Sequence, residues 1–317
     1  MRYRPLGNSG CKVSVLALGS WLTLGSSVDQ ATTNALLRAA LDGGINFLDT
    51  ADIYARGEAE LALGRAIAHA GVRRQDLVLA TKLFWPMSDA VNDRGLSRKH
   101  VMESCHASLR RLGTDYVDLY QCHRPDPETP VEETVRAMED LVRQGKVLYW
   151  GVSVWDAEQI EAACAIADRT GGYRPITSQP EYSYVQRAIE ADVMPACARL
   201  GLSQIVWSPL AQGLLTGKYA GGRMPAGSRG ADEQRNRFLK SLMTPEALAR
   251  AAHLAGVARE AGLAPAQLAL AWVLRRPEVS SALVGATRLE QLRENLGAAD
   301  LDLPSGVLSR LETGPAG

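Results

Sequence analysis

The stretch INFLDTADIYARGEAELALGRAIAHAGVRRQDLVLATK, residues 45–82, contains the unit from which the rest of the chain is built. INFLD (45–49) and LVLAT (77–81) are short apolar runs with bulky or β-branched residues and read as strands. Between them, EAELALGRAIAHAG places apolar side chains at helical spacing and stops at Gly71. Strands this apolar have no solvated face, which suits a parallel sheet covered by helices. Outward from this unit the same kind of strand recurs at VLALG (15–19), YVDLYQ (116–121), LYWGVS (148–153), ITSQ (176–179), IVWS (205–208) and SALVG (281–285), giving eight strand candidates.

Helical patterns separate them. DQATTNALLRAALDGG opens at Asp29 and SRKHVMESCHASLRRLG at Ser97, both N-cap residue types. PVEETVRAMEDLVRQG, AEQIEAACAIADRTGG and QRAIEADVMPACARLG follow the next strands, and Pro195 is expected to kink or split the last of these. TPEALARAAHLAGVAREAG and APAQLALAWVLRRP precede the eighth strand, and RLEQLRENLGAA follows it. Eight strands alternating with helices predict an α/β fold, a (β/α)8 TIM barrel forming a single domain over residues 1–317. A doubly wound open sheet fits less well, because Gly19-Ser20-Trp21 after the first strand is not a G-x-G-x-x-G phosphate fingerprint. YRPLGNSGCKVS, with its Asn8-Ser9-Gly10 turn, predicts an N-terminal β-hairpin at the barrel floor. After strand 7 a long loop runs from Lys218 to Asn236, longer than an ordinary βα connection, and such loops are functional or mobile.

Composition excludes several classes. Of the 317 residues, 46% are hydrophobic and 22% charged, as in ordinary globular proteins. Lys plus Arg and Asp plus Glu both number 35, so no net positive charge points to nucleic acid or an anionic membrane. No apolar run is long enough for membrane insertion, and MRYRPLGNSG lacks the apolar core of a secretory signal, so a cytoplasmic location is expected. The five cysteines form no C-x-x-C pair and read as reduced thiols.

In a barrel of this kind the site lies at the C-terminal ends of the strands. Those ends carry Asp49, Lys82, His123, Ser153, Gln179 and Trp207-Ser208, with Tyr54 five residues beyond Asp49. Each alone has an ordinary structural explanation; together the fold brings them to one rim. A phenol is a weak acid, with a reference pKa of about 10, but a nearby ammonium stabilises its anion. A carboxylate would keep that ammonium charged, and an imidazole adds a donor for a carbonyl oxygen. Such a set suits protonation of an oxygen while hydride reaches its carbon. No G-x-S-x-G elbow supports hydrolysis, and no H-E-x-x-H supports a metal site.

The sequence resembles the aldo-keto reductases, closest to the potassium-channel beta-subunit branch and its bacterial relatives. The resemblance rests on G-x-N-F-x-D-T-A-x-x-Y (Gly44 to Tyr54), A-T-K (Ala80 to Lys82), G-T-D-Y-V-D-L-Y-x-x-H-x-P-D (Gly113 to Asp126), W-G-V-S (Trp150 to Ser153), W-S-P-L-A-x-G (Trp207 to Gly213) and G-A-T-x-x-x-Q-L-x-E-N (Gly285 to Asn295). The motifs run in family order from Leu6 to about Ala299.

The resemblance implies an NADPH-dependent oxidoreductase that reduces an aldehyde or ketone to an alcohol. Tyr54 would be the general acid, Asp49 and Lys82 would lower its pKa, and His123 would orient the carbonyl. NADP(H) would lie across the rim, with Ser153 and Gln179 at the carboxamide and Trp207 against the nicotinamide. Ser20, Trp21 and Asp49 would sit beside it. Ser208, Pro209, Leu210, Ala211, Gln212, Gly213 and Lys218 would line the pyrophosphate, and Gly285, Thr287, Arg288, Gln291, Glu294 and Asn295 the adenosine end. Arg229 would close over the cofactor, and Arg288 or Arg229 would meet a ribose 2′-phosphate.

Val154 departs from the family pattern, which often has Asn or Arg there; valine offers no polar contact to the carboxamide. Trp21, Tyr54, Trp85 and His123 are the expected substrate-facing residues, and Trp155 is a further aromatic at the rim. Arg124 would attract an anionic substrate or be simply exposed. The branch often forms tetramers or octamers, so a homo-oligomer is a further expectation. Two other roles follow from the resemblance: an NADPH-binding, channel-associated regulatory subunit, or a reductase of nucleotide-linked sugars. The fold is expected to begin almost at Met1, leaving no room for an extended regulatory arm.

Overall fold

A computed structural model of the chain describes residues 1–219, 224–225, 228–232 and 236–314. In chain order it contains β1 (Tyr3–Pro5), β2 (Lys12–Ser14), β3 (Leu16–Gly19), α1 (Gln30–Asp42), β4 (Phe47–Asp49), α2 (Glu58–Ala70), β5 (Val78–Leu83), α3 (Arg98–Leu112), β6 (Val117–Cys122), α4 (Val131–Arg143), β7 (Val147–Val152), α5 (Ala157–Thr170), β8 (Thr177–Ser178), α6 (Val193–Leu200), β9 (Ser203–Val206), α7 (Arg237–Leu242), α8 (Pro245–Glu260), α9 (Pro265–Leu274), β10 (Val279–Val284), α10 (Leu289–Leu296) and α11 (Ser305–Glu312). Strands β3 to β10 pair in parallel, in the order β10-β3-β4-β5-β6-β7-β8-β9, and close into a barrel. All eight strands overlap the apolar runs of the sequence, with ends displaced by up to two residues.

The expected caps form. The Asp29 carboxylate accepts from Thr32 N at 2.8 Å, and Ser97 Oγ accepts from His100 N at 3.3 Å. Pro195 splits its segment: a 3-10 turn covers Ala188–Glu190, and α6 then starts at Val193, so the proline falls in the first turn, where a missing N–H costs nothing. Two short helices escape the sequence pattern, α7 and α11.

β1 and β2 form the antiparallel hairpin. It sits at the N-terminal ends of the strands: Gly7 N donates to Ser203 Oγ at 2.8 Å, and Arg4 donates to the carbonyls of Leu274, Arg276 and Val279. Its buried Leu6 and Val13 pack with Ala17, Phe47, Ala80, Leu119 and Ile205, which face the barrel interior. The floor is therefore apolar and closed by the hairpin. Outside the strands, a larger core joins them to the helices, with Tyr120, Trp150 and Trp272 among its fully buried members.

The other end of the barrel has a different character. Among the described residues, the non-glycine residues with left-handed backbone are Leu22, Ala55, Arg56, Val154, Ser208, Ala211 and Gln212. All lie in loops that follow the C-terminal ends of β3, β4, β7 and β9. This conformation is costly for any residue with a Cβ, most of all for the β-branched Val154 at φ 58°.

Candidate active site

Strand alternation builds the site directly above the apolar floor. Side chains two residues apart share a face. Phe47, Ala80 and Leu119 face the barrel interior, so Asp49, Lys82 and Gln121, each two residues further, form the next layer toward the rim. His123 continues the β6 row.

Lys82 is fully buried and its Nζ donates to Asp49 Oδ1 at 2.5 Å, to Thr50 O at 2.8 Å and to the Tyr54 hydroxyl at 3.3 Å. Burial pushes the Lys82 ammonium down, but Asp49 and Tyr54 outweigh it, and its pKa lies above the ordinary lysine value. The other Asp49 oxygen accepts from Gln179 Nε2 at 2.9 Å and from Gln121 Nε2 at 3.5 Å. Ser153 Oγ donates to the Gln179 carbonyl at 2.8 Å, and Ser20 Oγ to Thr50 Oγ1 at 2.8 Å.

Tyr54 differs from expectation in one respect. Burial raises its pKa above the ordinary phenol value; Lys82 opposes this, while the Asp49 charge adds to it. Lys82 alone of the pair favours the phenolate, and Asp49 acts by holding Lys82 in place. The His123 ring meets the Tyr54 ring edge-on, centroids 5.6 Å apart. Burial, with Lys82 and Arg124 nearby, holds the His123 imidazolium well below the ordinary histidine value, so the ring is neutral, and its buried Nδ1 has no partner among the described residues.

A second buried network lies behind this layer. Asp52 N donates to Lys82 O at 3.1 Å, and the Asp52 carboxyl accepts from Ile53 N at 2.6 Å and Ser104 Oγ at 3.0 Å. Burial and the neighbouring Glu60 push this carboxyl up to about 7. Glu60 itself accepts from Thr81 Oγ1 at 2.6 Å and Arg111 Nε at 2.6 Å.

Around the opening, Trp85 is 38% exposed, with its ring edge-on to Phe84 at 5.1 Å and to His123 at 6.5 Å. Trp21 packs edge-on against Phe238 of α7 at 5.2 Å. Trp155 does not line the opening: it is 3% exposed and packs under the rim loops. Val154 points outward, 42% exposed.

The residues expected at the pyrophosphate and adenosine ends of the cofactor fall on two stretches that follow β9 and β10, two neighbouring strands of the barrel. Trp207, Ser208 and Leu210 are half-buried, Pro209 and Ala211 buried. Gln212 donates from its amide to Ser208 Oγ, and Gly213 lies close to the exposed Lys218. On the other stretch Gly285, Arg288 and Glu294 are exposed, Asn295 is buried, and Gln291 Oε1 accepts from Thr287 N at 3.0 Å and Thr287 Oγ1 at 3.2 Å. Arg288 immediately precedes α10, and among the described residues no carboxylate pairs with it. The Arg229 side chain, and the expected closure of the 218–236 loop over the cofactor, lie outside the described residues.

Residues 15–313 match the Aldo/keto reductase family. The chain belongs to that family. Two similar relatives are each named "Probable voltage-gated potassium channel subunit beta". The one from Oryza sativa subsp. japonica is 46% identical over 302 residues, 95% of this chain and 92% of that protein. The one from Arabidopsis thaliana is 44% identical over 302 residues, with the same coverage of each. Aldo-keto reductases are oxidoreductases, generally act on small molecules and generally use a nicotinamide cofactor. Among the described residues of this aldo-keto reductase, no helix is long and apolar enough to cross a membrane, and no cluster of His, Cys, Asp and Glu could hold a metal.

Three parts of the site have no counterpart in the sequence-based expectations: Gln121, the Asp52–Ser104 network and Phe238. Gln121 was detectable, as a polar residue between Leu119 and His123 on one strand face. Phe238 was not, because the short α7 carries too little periodicity.

Proposed function

We propose that the chain is an NADPH-dependent reductase of aldehydes or ketones, with Tyr54 as the general acid. The observation that carries this is the buried Asp49–Lys82–Tyr54 chain, in which the ammonium reaches both the carboxylate and the phenol. The residues present fit a nicotinamide dinucleotide. Trp207 offers a half-buried aromatic face, and the exposed Lys218 and Arg288 offer cations for phosphates. Ser153 spends its donor on Gln179 O, and Gln179 its two amide donors on Asp49 and Gln121, so toward a carboxamide they act through their acceptor oxygens. Bound there, the cofactor supplies hydride to the carbonyl carbon.

The chain's own residues handle the proton. Tyr54 donates its hydroxyl proton to the nascent alkoxide, and Lys82 stabilises the phenolate left behind. Asp49 keeps Lys82 charged and aimed. His123 is neutral, and an unpartnered lone pair is tolerated better than an unpartnered N–H. Its proton therefore resides on Nε2, which donates to the carbonyl oxygen.

General acid catalysis typically contributes about 10²–10⁴-fold. Tyr54→Phe is therefore expected to lower turnover of an aldehyde by roughly that factor, with NADPH affinity retained. NADPH oxidation by the purified variant measures it, and near-normal turnover would remove Tyr54 from the role. The names of the relatives favour one other function, association with a potassium channel as a cofactor-binding subunit. NADPH binding without turnover of any aldehyde or ketone would support it.

A further inference from the structure

Arg124 follows His123 in the loop after β6, and its guanidinium is half-buried. One nitrogen donates to the carbonyl of His123 at 2.6 Å, and the group lies 5.7 Å from the Trp85 ring centroid. No carboxylate among the described residues pairs with it. Arg74 is paired with Asp118 at 2.6 Å, Arg111 with Glu60 at 2.6 Å and Arg275 with Glu312 at 3.0 Å, and the half-buried Arg4 is answered by three backbone carbonyls, where Arg124 has one. The acid nearest in sequence, Asp126, accepts from Leu96 N, Glu128 N and Thr129 Oγ1. The other cation of the site, Lys82, is held by Asp49.

A guanidinium has five N–H donors in a planar fork that matches a carboxylate or phosphate. Arg124 spends one on its neighbour's carbonyl. Its charge is close enough to act on the Tyr54 hydroxyl, and it shares Trp85 with His123. A partly desolvated, unpaired cation beside the proton donor is costly to keep unless something anionic arrives there.

We infer that the preferred substrates are carbonyl compounds bearing a carboxylate or phosphate, received by Arg124 beside Trp85. This rests on the reductase function proposed above. Neutral aldehydes can still reach Tyr54 and His123, but they leave the guanidinium unanswered. A planar aromatic acid fits best, because its ring can lie against Trp85 while its carboxylate takes the fork.

The test compares matched pairs in wild type, Arg124→Met and Arg124→Lys: 4-carboxybenzaldehyde against benzaldehyde, and glycolaldehyde phosphate against glycolaldehyde. In wild type, kcat/KM is expected to favour the anionic member of at least one pair by tenfold or more. Which pair responds separates a carboxylate from a phosphate. Arg124→Met should lower the anionic-to-neutral ratio by about ten- to a hundredfold, through KM, as for loss of a charge-assisted contact. Arg124→Lys should fall between, since it keeps the charge and loses the fork. If Arg124 acts only on the acidity of Tyr54, kcat falls equally for both members and the ratio is unchanged; that result overturns the inference and leaves the reductase function standing. If no aldehyde is turned over, the reductase function fails, and benzoate binding, read by tryptophan fluorescence, decides alone. Binding about tenfold weaker in Arg124→Met supports the anion site, and equal binding overturns it.

Discussion

Lys82 keeps its ammonium out of water by means of three contacts, and one of them is to a charge. Removing that charge alone should be worse than removing both. Asp49→Asn leaves a buried cation unpaired, a situation that typically costs about 3–5 kcal/mol. Asp49→Asn is expected to lower unfolding stability by an amount of that order. The double variant Asp49→Asn, Lys82→Met should recover part of the loss, because the cation is gone. Denaturant unfolding of the four proteins in the cycle measures the coupling; simple additivity would mean the pair is not energetically linked. The same residues illustrate what a sequence conveys. Asp49, Tyr54, Lys82 and His123 were each nameable from strand ends and motifs. The sign of the Tyr54 shift was not, because burial is a property of the packed site and here it outweighs Lys82.

Among the elements, α10 is where the proposed cofactor is most readily tested. Its N-terminal end is preceded by an exposed Arg288 with no carboxylate partner among the described residues, and helix N-termini favour anions. If Arg288 meets the ribose 2′-phosphate, Arg288→Ala should reduce the preference for NADPH over NADH. One charge-assisted contact amounts to about 1.5–3 kcal/mol, roughly ten- to a hundredfold in affinity. Titrating tryptophan fluorescence with each cofactor gives the ratio, and an unchanged ratio would assign the phosphate to another residue. The strands were legible because barrel strands are apolar on both faces and the helices between them end at glycine. The helices α7 and α11 were not: α7 has only six residues, and α11 lies beyond the last strand, outside the strand–helix alternation that frames the others. The division of the Pro195 segment followed from the missing N–H of proline alone.

For the molecule as a whole, the buried Asp52 carboxyl links stability to pH. Its pKa rises from an ordinary value of 3.8 to about 7. Between these values the folded protein holds a proton that the unfolded chain has released. The contribution to stability is therefore fully present below about pH 4 and is lost as pH rises through about 7. Glu181, raised by burial to about 7, has the same sign. Wild type is thus expected to lose stability between pH 5 and pH 8, and Asp52→Asn to lose less, by on the order of a few kcal/mol. Guanidinium unfolding at the two pH values checks it; equal losses would show that Asp52 ionises alike in the folded and unfolded states. This linkage was invisible in the sequence, because Asp52 lies in a loop and only the fold sets it beside Glu60 and Ser104.

The left-handed residues of the rim give the barrel a warm end and a cold end. Packing resists heat at the hairpin floor, where apolar side chains are locked together. At the rim the chain is held against its own backbone preference, at Val154 and around Ser208 to Gln212. Loops that bind ligands are drawn from the low-stability end of a protein, and stored strain adds to the tendency. Heating should therefore silence this protein before it melts it: ligand binding at the rim should fade at temperatures where the barrel's circular dichroism is still intact, and return on cooling.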